Sequence, residues 1–196
     1  MNTAATAPTT RRRGSALEAA IFAAVWAELA DHGYMGLTIS GVAVRAGTSK
    51  PVLYRRWPNR ARLVYAALAY RHRTIVSPDT GSLRGDLLAL MTAVGEQATT
   101  VTPDAIWGLL AESADDHDFA ATIQEELVDL LPERMAAAVV ARAENRGELG
   151  PRPRSARELT LPFDLMRNEF FTLGRVDPEA IDAILDEIAL PLLRRR

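Results

Sequence analysis

The feature that most constrains this chain is the helical spacing of its apolar residues along almost all of its length. From residue 15 onward, apolar side chains recur every three to four positions, and no stretch shows the sustained alternation of a β-strand. Glycine, proline and paired aspartates interrupt this spacing repeatedly. The sequence therefore predicts an all-α fold of about nine to ten helices. Its 196 residues, 48% of them hydrophobic, are enough to bury a proper core.

The interruptions divide the chain into four predicted parts. Residues 1–14 are rich in Thr, Ala and Pro and end in arginines, which indicates a disordered basic arm. Residues 15–60 have the pattern of three helices, and residues 61–76 that of a connecting helix. The linker SPDTGS then leads into residues 77–196, where further helical patterns follow. These helices are expected at about 83–100, 104–114, 118–130, 132–147, 155–173 and 178–194.

Charge is distributed unevenly between these parts. Residues 11–76 hold eleven basic and three acidic side chains, a net charge of +8. Residues 77–196 hold twelve basic and twenty-two acidic side chains, a net charge of −10. Because the phosphate backbone of nucleic acids attracts cations and repels anions, the split predicts a polyanionic partner for the first, basic part only.

The segment LTISGVAVRAGTSKPVLYRRWPNRARLV, residues 37–64, contains five arginines, one lysine and no acidic residue. Two short helical patterns flank Ala46-Gly47, where a glycine with positive φ suits a sharp turn. This arrangement predicts a helix-turn-helix whose second helix enters the major groove of DNA. An acidic side chain in this segment would face the phosphate backbone. The outward-facing side chains with groups that bind DNA are Arg45, Thr48, Ser49, Lys50, Tyr54, Arg55 and Arg56.

The spacing T-x-x-x-V-A-x-x-A-G-x-S-x-x-x-L-Y-x-x-W-x-N-R-x-x-L, from Thr38 to Leu63, resembles the N-terminal signature of the tetracycline-repressor (TetR) family of transcriptional regulators. The likeness covers about residues 15–70 and is specific because its spacing is strict. The chain departs from the family pattern at Trp57, where the family has Phe, and at Arg60, where it has Lys. Pro51 in the recognition helix is also untypical, which leaves open which bases are read.

The resemblance implies roles for individual residues. Thr38, Tyr54 and Arg60 would contact phosphates, while Ser49, Lys50 and Pro51 would lie against bases with Arg45 nearby. The complete predicted DNA-binding set is Arg11, Arg12, Arg13, Thr38, Arg45, Thr48, Ser49, Lys50, Pro51, Tyr54, Arg55, Arg56, Asn59 and Arg60. Simpler roles remain open, because Thr38 also suits a helix cap and Arg55 and Arg56 also suit a solvated face. The arginine arm is either an inert tail or reaches an adjacent minor groove.

The resemblance also implies a C-terminal domain that binds a ligand and dimerises. Large apolar or soft side chains there are candidates for lining a pocket, with Trp107 foremost, although such residues more often belong to a core. The candidates are Met91, Trp107, Leu110, Phe119, Met135, Phe163, Met166 and Phe170. They suggest a largely apolar small molecule of unknown identity.

The last two predicted helices have wide apolar faces that a monomer would expose, which predicts a homodimer across a two-fold axis. The interface candidates are Leu159, Phe171, Ile181, Ile184, Leu185, Ile188 and Leu192. The alternative is that these helices pack entirely within one subunit.

Motifs of enzymes and cofactor sites are missing from the sequence. It has no cysteine, no G-x-S-x-G, no H-E-x-x-H and no Gly-rich phosphate loop, and its three histidines are scattered. The stretch ADDHDFA has metal-ligand residue types, but adjacent side chains rarely converge on one ion, and Asp118 suits a helix cap. We therefore expect no enzyme activity, no cofactor and no metal.

No apolar run approaches the roughly 18 residues that span a bilayer, and the absence of cysteine fits a cytoplasmic protein.

The sequence-based hypothesis is a homodimeric transcriptional repressor that a ligand releases from a palindromic operator. One alternative is an architectural protein that binds DNA without sequence preference and without a ligand. Another is a small-molecule binding protein with a vestigial helix-turn-helix, which the density of cations between Lys50 and Arg62 argues against.

Overall fold

The computed structural model describes residues 14–72, 77–99, 102–126 and 131–195. All regular structure in these ranges is helical, which confirms the all-α prediction. The helices are α1 (Ser15–Gly36), α2 (Ile39–Arg45), α3 (Lys50–Arg56), α4 (Arg60–His72), α5 (Leu83–Thr99), α6 (Pro103–Ser113), α7 (His117–Ile123), α8 (Leu131–Asn145), α9 (Ala156–Leu173) and α10 (Pro178–Ala183). The last helix continues through a π-helical segment, Ile184–Ala189, into a final turn, Leu190–Leu193. The predicted arm with Arg11, Arg12 and Arg13 lies outside the described residues.

Local signals placed most helix boundaries correctly. Helices α5 to α10 begin within one residue of the predicted starts. Gly33 interrupts the regular backbone of α1, with φ of 64°, and one short turn follows it to Gly36. One cap was predicted wrongly: Asp116, not Asp118, caps α7, because its carboxylate accepts a hydrogen bond from the backbone N–H of Phe119 at 3.1 Å. Asp118 lies inside the first turn instead.

A first hydrophobic core joins α1 to α4. Its fully buried side chains include Ile21 and Val25 of α1, Val42 of α2, Leu53 of α3 and Leu63 of α4. In α1 the buried positions lie four residues apart, which is the helical spacing of apolar residues on which the all-α prediction rests. The short helices α2 and α3 depend on this shared core, since helices of seven residues are not stable by themselves.

The same first core includes two helices from beyond the linker. Ala105 and Leu109 of α6 and Phe119 and Ile123 of α7 belong to it. The linker is therefore not the boundary between the hydrophobic cores, because the first core contains residues from both sides of it. The predicted domain boundaries at residues 60 and 76 stay predictions.

A second hydrophobic core is formed by α5, α8, α9 and α10. Its buried side chains include Leu87, Met91, Val139, Phe163 and Leu185. Arg152 and Arg154, in the loop before α9, donate hydrogen bonds to the carbonyls of Leu192 and Leu193 at the end of the last helix. These arginines satisfy carbonyl groups that a helix C-terminus leaves unpaired.

A buried carboxylate ties the linker to this second core. Asp86, in the first turn of α5, has no exposed surface and accepts hydrogen bonds from Thr80 and from Arg146, the residue directly after α8, the latter at 2.9 Å. Burial by itself raises the pKa of Asp86, but the hydrogen bonds from Thr80 and Arg146 outweigh it and hold the pKa below its ordinary value. Asp86 is therefore charged at neutral pH and holds three segments of the chain together.

None of the helices in the described ranges combines the length and the apolar character that crossing a lipid bilayer requires.

Candidate nucleic-acid interface

The turn between α2 and α3 is closed by backbone hydrogen bonds. Gly47 has φ of 65°, a conformation that glycine adopts without strain. The N–H of Gly47 donates to the carbonyl of Val44 at 3.1 Å, and the N–H of Thr48 donates to the carbonyl of Ala43 at 2.9 Å. This pair of bonds is the Schellman ending of a helix. The predicted helix-turn-helix is therefore present, with its turn at the predicted residues.

Two of the predicted DNA-binding residues cap helices in this module. The Thr38 hydroxyl accepts a hydrogen bond from the N–H of Gly41 at 3.0 Å and caps α2. The Asn59 side chain accepts one from the N–H of Arg62 at 2.9 Å, at the start of α4. Capping leaves part of each polar group at the surface, so contact with a phosphate remains a prediction for both residues.

Helix α3 has a buried side and a bare side. Among the residues of α3, all of which the structure describes, only Leu53 is fully buried, and Val52 is half-buried. The exposed residues at and along the helix are Ser49, Lys50, Pro51, Tyr54, Arg55 and Arg56. Pro51 lies in the first turn, where its missing N–H leaves no helical hydrogen bond unmade. The bare side presents hydroxyl, ammonium and guanidinium groups to solvent.

Arg45 is held by two carboxylates of α1. Its Nε donates to Glu28 at 2.9 Å, and its Nη2 donates to Asp31 at 2.6 Å. Glu28 is buried beside Gly41, where an added Cβ would lie 2.3 Å from a Glu28 carboxylate oxygen. Arg45 therefore braces α2 against α1, a role that the sequence-based reading of Arg45 did not include.

Arg56 is held by Glu18 of α1. The distance between its Nη2 and the Glu18 carboxylate is 2.9 Å, and its guanidinium lies 4.7 Å from the centre of the Trp57 ring. Trp57 itself is buried against Phe22, with ring centroids 5.5 Å apart. The Arg56 side chain thus covers the ring of Trp57, the residue that directly follows α3.

Arg60 joins the helix-turn-helix to α6. It donates to Glu112 at 2.7 Å and to the carbonyls of Tyr34 and Met35 at 3.3 and 3.2 Å. The Tyr34 hydroxyl donates to the same Glu112 carboxylate at 3.0 Å. Burial, together with the charge of Glu112, raises the pKa of the Tyr34 hydroxyl, which stays protonated.

Arg62, two residues further along α4, pairs with Asp116 before α7 at 2.7 Å and stacks on Phe119 at 4.4 Å. The hydrogen bond from Arg62 lowers the pKa of Asp116, so the pair is charged at neutral pH. Sequence reasoning missed all these acidic partners, because each lies between 14 and 54 residues from its arginine.

The predicted ligand-lining residues do not form one cluster. Met91, Met135, Phe163 and Met166 share the second core. Phe119 lies in the first core, against Tyr65 of α4. Phe170 is buried, with its ring centroid 5.7 Å from that of Phe171. The structure therefore brings four of the eight candidates together, and pocket lining stays a prediction for all of them.

Trp107 and Leu110 are largely at the surface. The side chain of Trp107 is 54% exposed, and that of Leu110 is 37% exposed. The Trp107 ring packs on Phe171 of α9, with centroids 4.6 Å apart. Trp107 therefore links α6 to α9.

The predicted interface residues divide in a similar way. Leu159, Ile181 and Leu185 are buried within the subunit in the second core, so packing within one subunit accounts for these three. Phe171, Ile184 and Leu192 are half-buried, and Ile188 is 39% exposed. Contact with a second subunit stays a prediction for this second group, because only partly exposed side chains can gain burial on association.

Comparison with known proteins agrees with this geometry. Residues 21–67 match the family described as bacterial regulatory proteins, tetR family, and residues 77–188 match the tetracyclin repressor-like C-terminal domain. An uncharacterized HTH-type transcriptional regulator of Mycobacterium tuberculosis is 32% identical over 195 residues, covering 96% of this chain and 93% of the relative. The DNA-binding transcriptional repressor TetR of Mycobacteroides abscessus is 30% identical over 186 residues, covering 93% of this chain and 96% of the relative.

Solved structures show the same fold. The TetR family transcription regulator SCO0332 superimposes with a TM-score of 0.65 at 23% identity, covering 88% of this chain and 96% of that one. Salmonella enterica GusR superimposes with a TM-score of 0.58 at 15% identity, covering 91% and 96%. Together with the two sequence matches, the helix-turn-helix and the all-helical C-terminal half establish that this chain belongs to the TetR family of DNA-binding transcriptional regulators.

Proposed function

We propose that this regulator is a homodimeric repressor that reads a palindromic operator with two copies of α3 and leaves the operator when a small molecule binds. The observation that carries the proposal is the bare side of α3, where Lys50, Pro51, Tyr54 and Arg55 are exposed while Leu53 anchors the helix. Ammonium, hydroxyl and guanidinium groups on a helix of this kind match the acceptors of base edges and phosphates.

Repression is supported by a named relative. The Mycobacteroides abscessus protein, which is 30% identical and matches 93% of this chain, is called a DNA-binding transcriptional repressor. A repressor acts by occupying its site, so it needs tight binding in one state and weak binding in another.

Dimerisation is supported by apolar side chains that remain exposed on the last two helices. Leu161 and Leu173 of α9 are 36% and 54% exposed, and Ile188 in the last helix is 39% exposed. A two-fold dimer through this surface would present two α3 helices to successive major grooves, about 34–36 Å apart, and would select a palindrome.

Ligand response is supported by the position of α6. This helix packs into the first core through Ala105 and Leu109 and touches α9 through Trp107. The neighbouring second core holds Met91, Met135 and Met166, and methionine adapts easily to a new neighbour. An apolar ligand there would release the operator only to the extent that it prefers the dimer that does not bind DNA.

The test is a binding selection from a random duplex library with the purified protein at near-physiological salt. Recovery of a palindrome with half-sites about one helical turn apart is the expected result. A parallel selection with Lys50→Ala should recover altered bases at the positions that this side chain meets. Binding that depends only on salt, with no recovered motif, would reject the proposal in favour of an architectural DNA-binding protein.

A further inference from the structure

The six cations between residues 45 and 62 are not equally available to DNA. Four of them, Arg45, Arg56, Arg60 and Arg62, are paired within the chain with Glu28 and Asp31, Glu18, Glu112 and Asp116 respectively. The other two, Lys50 and Arg55, are exposed and form no ion pair in the described part of the chain. Six cations therefore face five carboxylates, a net charge of only +1 from these eleven groups.

We propose that the four paired arginines are positioning residues that brace the helix-turn-helix, that Lys50 and Arg55 are the cations of this segment that meet DNA, and that Glu18 competes with the operator for Arg56. This inference rests on the proposed function, because it assigns roles within the same DNA-binding face. It replaces the sequence-based expectation that Arg45, Arg56 and Arg60 contact DNA.

The geometry of the pairs supports the bracing role. Arg45 spans two carboxylates, one of them the buried Glu28, and Arg60 has a carboxylate and two backbone carbonyls as partners. Moving either arginine to a phosphate would leave a carboxylate without its partner. Both arginines also join helices: Arg45 joins α2 to α1, and Arg60 joins α4 to α6.

Arg56 differs from these two, because a single partner holds it at the surface. The side chains of Arg56 and Glu18 are 39% and 33% exposed. The pair lies at the end of α3, beside the face that would meet DNA. The Glu18 carboxylate therefore neutralises the Arg56 guanidinium, which a DNA phosphate would otherwise attract.

Salt dependence separates the two kinds of cation. A cation that neutralises a phosphate releases a counterion, and each such contact adds about 0.9 to the slope of log K against log salt. An arginine already neutralised by a carboxylate releases none. Removing it weakens binding by disturbing the helix but leaves the slope unchanged.

The experiment measures this slope by fluorescence anisotropy with the full-length protein, the selected operator and a scrambled duplex of equal length. Arg55→Gln should reduce the slope by about 0.9. Arg56→Gln should leave the slope unchanged. Glu18→Gln should steepen it by about 0.9 and tighten binding severalfold at low salt, because Arg56 is then free to neutralise a phosphate.

The decisive comparison is between Arg56→Gln and Glu18→Gln, since both residues lie at the surface. Melting curves of both variants are measured alongside to check that each folds. Glu169→Gln on α9 removes one negative charge far along the chain and controls for net charge alone. A slope reduced by Arg56→Gln and unaltered by Glu18→Gln would overturn the inference, since Arg56 would then leave Glu18 for a phosphate on binding.

The two duplexes keep this inference separate from the proposed function. Equal affinity of the wild-type protein for operator and scrambled duplex would reject sequence-specific regulation. The slopes on the scrambled duplex would still report which cations meet phosphates.

Discussion

Tyr54 exposes half of its side chain, 51%, on the bare side of α3, one residue after the helix's single buried anchor. A phenol hydroxyl in this position can donate a hydrogen bond to a phosphate oxygen, and the Tyr54 ring is not among the described side chains of the first core. Function and stability are therefore separable at this residue.

We expect Tyr54→Ala to weaken operator binding by about tenfold, the loss of one hydrogen bond to a charged acceptor. Because the side chain is exposed, the melting temperature should stay close to that of the wild type. Tyr54→Phe keeps the ring and removes only the hydroxyl, so it distinguishes a phosphate contact from apolar contact with a thymine methyl. Unchanged affinity of Tyr54→Ala in a mobility-shift titration would contradict the assigned docking of α3.

At the scale of the elements, α6 connects the DNA-binding helices to the rest of the chain. Gly108 lies against the Tyr34 ring so closely that an added Cβ would be 2.2 Å from a ring carbon. Asp104, four residues earlier, accepts a hydrogen bond from the N–H of Tyr34 at 3.3 Å. The close approach of α6 to the end of α1 therefore requires glycine at residue 108.

Gly108→Ala should force α6 and Tyr34 apart and destabilise the protein by about 1–3 kcal/mol, the usual cost of overpacking. Urea denaturation followed by circular dichroism measures this loss. Gly150→Ala is the matched control, because an added Cβ there meets no atom within 4 Å. Equal stability of the two variants would show that α6 does not need this approach.

The junction of the linker, α5 and α8 depends on the charge of Asp86. Its pKa is held below the ordinary value of 3.8, so the carboxylate contributes stability above about that pH and loses it as the pH falls through the lowered value. Removing this buried charge at neutral pH leaves Arg146, which is only 25% exposed, with fewer partners.

We expect Asp86→Asn to be less stable than the wild type by about 2–3 kcal/mol at pH 7, a value for a buried ion pair whose arginine still reaches water. The difference should shrink as the pH falls below 3.8, because the wild-type carboxylate then becomes protonated. Urea denaturation at pH 7, 4 and 3 measures it. A difference independent of pH would show that shape, not charge, holds the junction.

At the scale of the whole molecule, the exposed apolar side chains of α9 and the last helix set the expected assembly. Ile188 lies on the last helix with 39% of its side chain exposed, next to the inward-facing Leu185 and Ala189. Burying it against a second copy would remove apolar surface from water.

Ile188→Asp should therefore shift the protein from dimer to monomer in sedimentation experiments without unfolding it. Val44→Asp is the matched control, since Val44 is 82% exposed and lies on α2, away from the last two helices. Dimers that persist in Ile188→Asp would show that the interface lies elsewhere on the subunit. A monomeric wild-type protein would reject the proposal that a two-fold dimer binds a palindromic operator.

The sequence by itself determined the helices, their starts and the helix-turn-helix. These features depend on interactions between residues a few positions apart: apolar spacing, the Thr38 cap and the positive φ of Gly47. The signature around α2 and α3 also identified the family correctly, because its residues are spaced by the same local geometry.

Only the tertiary structure decided which charges are paired and which apolar residues are buried. Arg45 and Arg60 read as free cations in the sequence, because Asp31 and Glu112 lie 14 and 52 residues away from them. Likewise, the apolar stripe of the last helix did not reveal that Leu185 faces inward and Ile188 outward. Ion pairs and burial depend on how helices pack against one another, and that packing is a property of the whole chain and not of any short segment.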